Sequence, residues 1–232
     1  MRRLLLLSNS TNHGERYLDH AMPAIRDLFG SASRVAFVPF ALRDQAGYTA
    51  RARERFAEEG LEVVAVTADA AGVAAVDSAD GVFIGGGNTF RLLDLLQRSG
   101  VFEAVRRRAL AGMPYLGASA GTNVATPSLK TTNDMPIVQP ARFEALALVP
   151  FQINPHYLDA EAGRTHMGET REERIREFHE ENDAPVIGLR EGSWLEIAGP
   201  QGWLRGPRPA RLFRRGQPGV ELPPGAPLSD LL

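Results

Sequence analysis

Short apolar runs rich in Val, Ile and Leu alternate along this chain with longer segments of helical periodicity. Strands buried on both faces read as continuous apolar runs, so the pattern predicts a mostly parallel sheet covered by helices on both sides, a doubly wound α/β architecture. Leu4–Leu7, Val35–Val38, Val63–Val66 and Val82–Ile84 are the first strands, with helical segments over 17–29, 47–59 and 73–78 between them at βαβ spacing. Leu92, Leu93, Leu95 and Leu96 mark the buried stripe of the next helix, and a further one covers 101–110. The run Pro114-Tyr115-Leu116 then leads into Gly117-Ala118-Ser119-Ala120-Gly121. Residues 145–153 are apolar up to Asn154-Pro155-His156, where proline ends the ladder. Thr170-x-x-Glu173 gives the helix over 169–182 a capping-box start, and Val186–Leu189 is the following strand. The segments 195–197, 202–204 and 211–213, separated by Gly and Pro, predict antiparallel hairpins at one sheet edge, and the proline-rich stretch 217–227 is expected to be irregular.

Length and composition narrow the class. The 232 residues fit one domain, and no linker divides them. A net charge of -2 with 23% charged and 44% hydrophobic residues fits a globular protein without a nucleic-acid-binding footprint. With no cysteine, thiolate nucleophiles, disulfides and cysteine metal sites are excluded. Met1-Arg2-Arg3 before four leucines superficially looks like a secretory leader, but the run is too short and stops at Ser8-Asn9-Ser10 without a cleavage pattern. A buried first strand, a soluble chain and a cytoplasmic location are expected. No apolar stretch reaches the length of a membrane span.

Gly-x-Ser-x-Gly after a strand and before a helix is the sequence of a nucleophile elbow, in which small flanking residues let a sharp turn lift one hydroxyl clear of the backbone. Ser119 is either that hydroxyl or an ordinary helix N-cap. In open parallel sheets the ligand crevice lies at the carboxyl ends of strands. Gly85-Gly86-Gly87-Asn88, Ser119, His156 and Glu191 all follow predicted strands and are expected on one rim.

A serine hydroxyl needs a base, and the base needs an acceptor to fix its tautomer. Of the 5 histidines, His13 and His20 lie early, His166 is in a loop and His179 is on a charged helix, which leaves His156. Glu191 is the acid candidate, with Asp159 competing because it is close to His156 in sequence. The order Ser, His, acid differs from that of α/β-hydrolases, so a different doubly wound scaffold is implied. The glycine run lacks the third spaced glycine and the Gly-Lys-Ser/Thr of phosphate loops. Its alternative role is to supply backbone N–H groups near Gly86 and Gly87 that, with that of Ala120, bind an oxyanion.

These motifs together resemble peptidase E, the α-aspartyl dipeptidases, over nearly the whole chain. The resemblance rests on Leu-Leu-Ser-Asn-Ser-Thr (6–11), Gly-Gly-Gly-Asn-Thr-Phe (85–90), the Ser119 turn, Thr-Thr-Asn-Asp-Met-Pro-Ile-Val (131–138), Gln-Ile-Asn-Pro-His (152–156), Gly-Glu-Thr-Arg-Glu (168–172) and Glu-Gly-x-Trp (191–194). It implies a serine peptidase on a class I glutamine-amidotransferase-like fold that cleaves dipeptides with N-terminal aspartate, and a Ser, His, Glu triad that falls on Ser119, His156 and Glu191. Relatives with Asp or Asn in the third place or with shorter C-termini occur; this chain keeps Glu191 and the long tail.

Such a substrate offers a β-carboxylate and a free amine, which call for a guanidinium and an acidic acceptor. Arg171 is the candidate for the first, unless it forms a surface ion pair on its own helix, and Asp134 for the second. Asn88 either orients substrate or caps the helix starting at Thr89. No cofactor and no metal are expected, and the oligomeric state, monomer or homodimer, stays open. Two other functions remain: a cyanophycinase-like hydrolase of β-aspartyl peptides, and a non-catalytic binding homologue.

Overall fold

The computed structural model describes residues 1–160 and 168–232. Its elements in chain order are β1 (Arg3–Leu7), α1 (Met22–Phe29), β2 (Arg34–Val38), α2 (Gln45–Ala57), β3 (Glu62–Ala65), α3 (Ala70–Ser78), β4 (Gly81–Ile84), α4 (Thr89–Ser99), α5 (Val101–Leu110), β5 (Tyr115–Ala118) and α6 (Ala120–Asn123). Then follow β6 (Gln152–Pro155), α7 (Arg171–Glu181), β7 (Val186–Leu189), β8 (Trp194–Ala198), β9 (Gln201–Arg205), β10 (Ala210–Phe213) and β11 (Val220–Leu222).

Seven strands form the main sheet in the order β3-β2-β4-β5-β1-β8-β9, parallel from β3 to β1 and antiparallel across β1/β8/β9. The pleat divides the leucines of β1. Leu5 and Leu7 pack with Ile25, Phe29, Phe37, Tyr48, Phe56 and Phe83 beneath α1 and α2, while Leu4 and Leu6 join Val82, Ile84, Leu92, Leu96 and Val105 beneath α4 and α5. Both faces are covered, which is why the strand reads as an unbroken apolar run.

A second sheet, β11-β10-β7-β6, carries β6 and β7 parallel and the rest antiparallel. Ile153, Ile187, Leu189 and Leu212 on one face enter the same core as Leu4 and Leu6. Val186, Phe213 and Tyr157 pack with Ile175 of α7. The C-terminal hairpins therefore do not share one sheet edge: β8 and β9 extend the main sheet, while β10 and β11 close the second. Stretch 217–227 is likewise less irregular than expected, because β11 pairs with β10 as an edge strand with Pro218 and Pro223 outside the ladder.

Two other boundaries differ for local reasons. The first helix starts at Met22 and not near Tyr17, because Leu18 is left-handed (φ 64°) and Pro23 occupies the first turn. The apolar run 145–151 precedes β6 without being strand; its N–H groups turn back to carbonyls, Leu146 to Val124 and Leu148 to Ala125. Elsewhere the caps follow the sequence: Asn88 accepts from Arg91 N at α4, Asp69 from Ala71 N and Gly72 N at α3, and Thr170 with Glu173 forms the capping box of α7.

The turn after β5 is tight enough that its glycines are steric requirements. A Cβ at Gly121 would lie 2.0 Å from the Ile84 carbonyl oxygen, and one at Gly117 would lie 2.6 Å from that of Gly121. Both obstacles are backbone and have no room to move. Gly121→Ala is expected to cost about 1–3 kcal/mol of unfolding free energy through overpacking, read as a lowered urea midpoint at unchanged slope.

Candidate active site

The Gly117–Gly121 turn fixes Ser119 at φ 52°, ψ −108°, a conformation that a serine holds only when its surroundings over-determine it. Here they do: Ser119 N donates to Leu7 O at 3.1 Å, Asn123 N to Ser119 O at 2.9 Å, and the Thr122 hydroxyl reaches both Leu7 O and Gly117 O. The side chain makes no helix-capping bond. It is free for His156, whose Nε2 lies 2.8 Å from Ser119 Oγ.

His156 also has a positive φ, 53°. Its other ring nitrogen, Nδ1, lies 2.6 Å from Glu191 Oε1. An ionised carboxylate only accepts, so the proton between them belongs to Nδ1, leaving Nε2 to accept from the serine hydroxyl. The Asp159 alternative is removed by Arg190, whose guanidinium holds both oxygens of Asp159 at 2.6 and 2.8 Å and both of Glu221 at 2.8 and 2.9 Å. This bidentate pairing keeps the Asp159 carboxyl below its ordinary range.

The four strand-end groups meet, but across two sheets and not along the rim of one. The glycine loop and Ser119 follow β4 and β5 of the main sheet; His156 and Glu191 follow β6 and β7 of the second. Sequence reasoning missed the residues that join the halves. Ser8, just past β1 and fully buried, donates to Leu189 O at 2.7 Å and accepts from His156 N at 2.9 Å. Asn9 accepts from Gly192 N at 2.8 Å, beside Glu191. The signal for both is a polar pair placed directly after a buried strand.

Other expected site residues divide. Gly86 is corrected as an oxyanion donor, because its N–H already donates to the buried Tyr48 hydroxyl at 2.8 Å. Among the described residues, the N–H groups of Gly87 and Ala120 have no hydrogen-bond partner. Gly87 has φ 132°, and a Cβ there would lie 2.7 Å from Ala41 O, so only glycine fits. Asn88 is committed at both ends, to Arg91 N through Oδ1 and to Met135 O through Nδ2 at 2.9 Å, and acts as a cap. Asp134 Oδ2 accepts from Thr89 N at 2.7 Å and from Thr89 Oγ1 at 2.6 Å, which makes it a second cap for α4, although it still lines the niche beside Ser119.

Arg171 opens α7 and lines a cavity of about 570 Å³ with Asn133, Leu158, Asp159, Glu169 and Arg174. Its expected alternative, an ion pair on its own helix, is absent among the described residues: Glu169 pairs with Arg174 at 3.4 Å and Glu172 with Arg176. Burial, then the neighbouring Arg174, hold the Arg171 guanidinium below its ordinary value, with Asp134 opposing. Asn133 lines both this cavity and the niche at Ser119. Of the other histidines, His20 has a buried side chain that is held below its usual value by that burial, His179 bonds Ala184 O at 3.1 Å, and His166 lies outside the described residues.

A strained serine, a histidine and a glutamate in hydrogen-bond sequence define a serine-hydrolase type of centre. The chain belongs to peptidase family S51, whose model matches residues 4–204. It is 58% identical over 229 residues to "Peptidase E" of Streptomyces coelicolor, covering 99% of this chain and 94% of that protein. It is 49% identical over 234 residues to "Probable alpha-aspartyl dipeptidase" of Drosophila melanogaster, covering 100% and 98%. The fold matches that of a peptidase from an acI-B1 Actinobacterium with a TM-score of 0.74 at 16% identity, over 98% of this chain and 96% of that one. It is a serine peptidase of α/β fold.

Removing the hydroxyl that joins the two sheets tests the geometry. Ser8→Ala leaves the partly buried His156 N–H without its acceptor, a loss of about 1–3 kcal/mol in unfolding free energy. Urea denaturation measures it, and turnover should fall in the same variant while Thr11→Ala, at the end of the same polar run, changes neither.

Proposed function

We propose that this chain is a dipeptidase that hydrolyses Asp-X dipeptides through an acyl-enzyme on Ser119, the 232 residues acting as one cytoplasmic peptidase domain. The observation that carries the specificity is Arg171: a guanidinium without an ion-pair or hydrogen-bond partner among the described residues, partly buried beside a cavity that shares Asn133 with the niche at the candidate nucleophile. A cation so placed calls for an anionic group on the substrate, and the β-carboxylate of aspartate supplies it. The name of the Drosophila relative points to the same substrate class.

The steps follow from the hydrogen-bond order. His156 Nε2 takes the Ser119 proton as Oγ attacks the carbonyl carbon of the aspartyl residue, and Glu191 stabilises the cationic ring. The N–H groups of Gly87 and Ala120 receive the developing oxyanion, each donor of this kind lowering the barrier by about 3–4 kcal/mol. His156 then gives its proton to the leaving amine of X as the C–N bond breaks, leaving an aspartyl ester on Ser119. Water attacks that ester with His156 again as base, and free aspartate departs as the proton returns to Oγ. The side chains of His156 and Glu191 are 40% and 49% exposed, which leaves the pair accessible.

Ser119→Ala should abolish cleavage of Asp-Leu while leaving the fold intact; a variant that still turned over at the wild-type rate would exclude the acyl-enzyme. Arg171→Met removes a charge-assisted bond and should lower kcat/KM for Asp-Leu by roughly 10- to 150-fold, with a smaller effect on Asn-Leu. A panel varied at the first residue, including β-linked Asp-Leu, measures both the aspartate preference and the linkage selectivity.

A further inference from the structure

A dipeptidase must read a free amine as well as a side chain, and Asp134, the acid lining the niche at Ser119, already has one oxygen committed to Thr89. Beside Ser119 lies a niche of about 20 Å³ lined by Thr89, Ala120, Asn123, Asn133, Asp134 and His156, among others. About 10–15 Å³ is the minimum for one water-sized group, so the niche has room for such a group. Asn123, 1% exposed, lines it. Its Nδ2 donates to Ile153 O at 3.0 Å, and its Oδ1 is a buried acceptor with no partner among the described residues. A buried amide oxygen left without a donor costs free energy unless something donates to it.

We infer that Asn123 Oδ1 accepts from the α-ammonium of the substrate, with the Asp134 carboxylate as nearby counter-charge, and so makes Asn123 a determinant of specificity. The inference rests on the Asp-X reading and sharpens it. In an α-linked aspartyl substrate the ammonium nitrogen and the carbonyl carbon attacked by Ser119 are bonded to the same carbon. When that carbonyl meets Ser119 Oγ, the ammonium must lie within a water's width of it, which is where the niche is. A β-linked substrate presents a methylene at that place and leaves Asn123 Oδ1 unpaired. The same side chain therefore favours a free N-terminus over a blocked one and an α over a β linkage, while Arg171 reads the carboxylate on the far side of that carbon.

Succinyl-leucine, which is Asp-Leu without its amine, isolates the contact. A bond from a charged donor is worth about 10- to 150-fold, so wild-type protein should cleave Asp-Leu with a kcat/KM higher than that for succinyl-leucine by at least about tenfold. Asn123→Leu, of similar volume, should reduce that ratio about tenfold or more; Ile153 O keeps a donor in the variant, because the Thr131 hydroxyl also reaches it at 2.9 Å. Asn123→Ser restores an acceptor and should retain more of the ratio than Asn123→Leu. Equal wild-type cleavage of the two substrates overturns the assignment, as does an unchanged ratio in Asn123→Leu or an equal loss on both substrates. Wild-type protein that cleaves neither overturns the Asp-X reading and this one together, whereas equal cleavage of both leaves the Asp-X reading standing.

Discussion

The Ser8 hydroxyl, buried at the carboxyl end of β1, holds two sheets in register at the point where the chemistry occurs. It donates to Leu189 O, the last residue of β7, and accepts from the N–H of His156, the residue after β6. The donor and acceptor of one small side chain thus tie the end of β1 in the main sheet to the two strands that present the histidine and the glutamate. Ser119 is anchored to the same place from the other side, since its N–H and the Thr122 hydroxyl both bond Leu7 O. Nucleophile and base are each within one residue's reach of β1, and the 2.8 Å between them follows from that shared support.

Both members of that pair sit in strained backbone, with φ near 52° at Ser119 and 53° at His156. Each such residue costs on the order of 1–3 kcal/mol, and the compensation is visible nearby. Asn133 Nδ2 donates to Pro155 O at 2.7 Å, Asn154 Nδ2 donates to Thr131 O and Asn133 Oδ1 at 2.8 Å, and Tyr157 N closes on Leu189 O at 3.1 Å. The polar stretch 131–134 thereby acts as a clamp on the end of β6. Arg190 does the same for the β7 side, linking the residue before Glu191 to Asp159 and to Glu221 on β11. The C-terminal strands, remote from Ser119 in sequence, are in this way part of the frame that aims Glu191.

Once these structural duties are met, few polar groups at the site remain free. Gly86, Asn88 and one oxygen of Asp134 are taken; Gly87 N–H, Ala120 N–H, Asn123 Oδ1 and the Arg171 guanidinium are not, among the described residues. Two donors beside the nucleophile, one buried acceptor and one cation match the charge pattern of an aspartyl residue under attack: oxyanion, ammonium and carboxylate. A buried group left unpaired by the fold penalises any substrate that fails to complete it.

The strands and helices were legible because both sheet faces are covered and local chemistry agrees with the fold: four leucines make β1, Thr170 and Glu173 cap α7, and glycines occupy the turn at Ser119. Ser119, His156 and Glu191 were legible as candidates by type and by position after strands; that Arg190 holds Asp159 while Glu191 bonds His156 depends on the tertiary structure. What the sequence could not contain is the partition of strands between two sheets, because β6 and β7 read like any buried parallel strands and pairing is a long-range matter. Nor could it say which polar groups are already bonded. Gly86 and Gly87 are adjacent and chemically identical, and only the Tyr48 hydroxyl, 38 residues away, distinguishes them. Hydrogen-bond completion depends on neighbours brought together by folding, so residue identity set the chemistry available at this site and tertiary structure decided which of it is free to act.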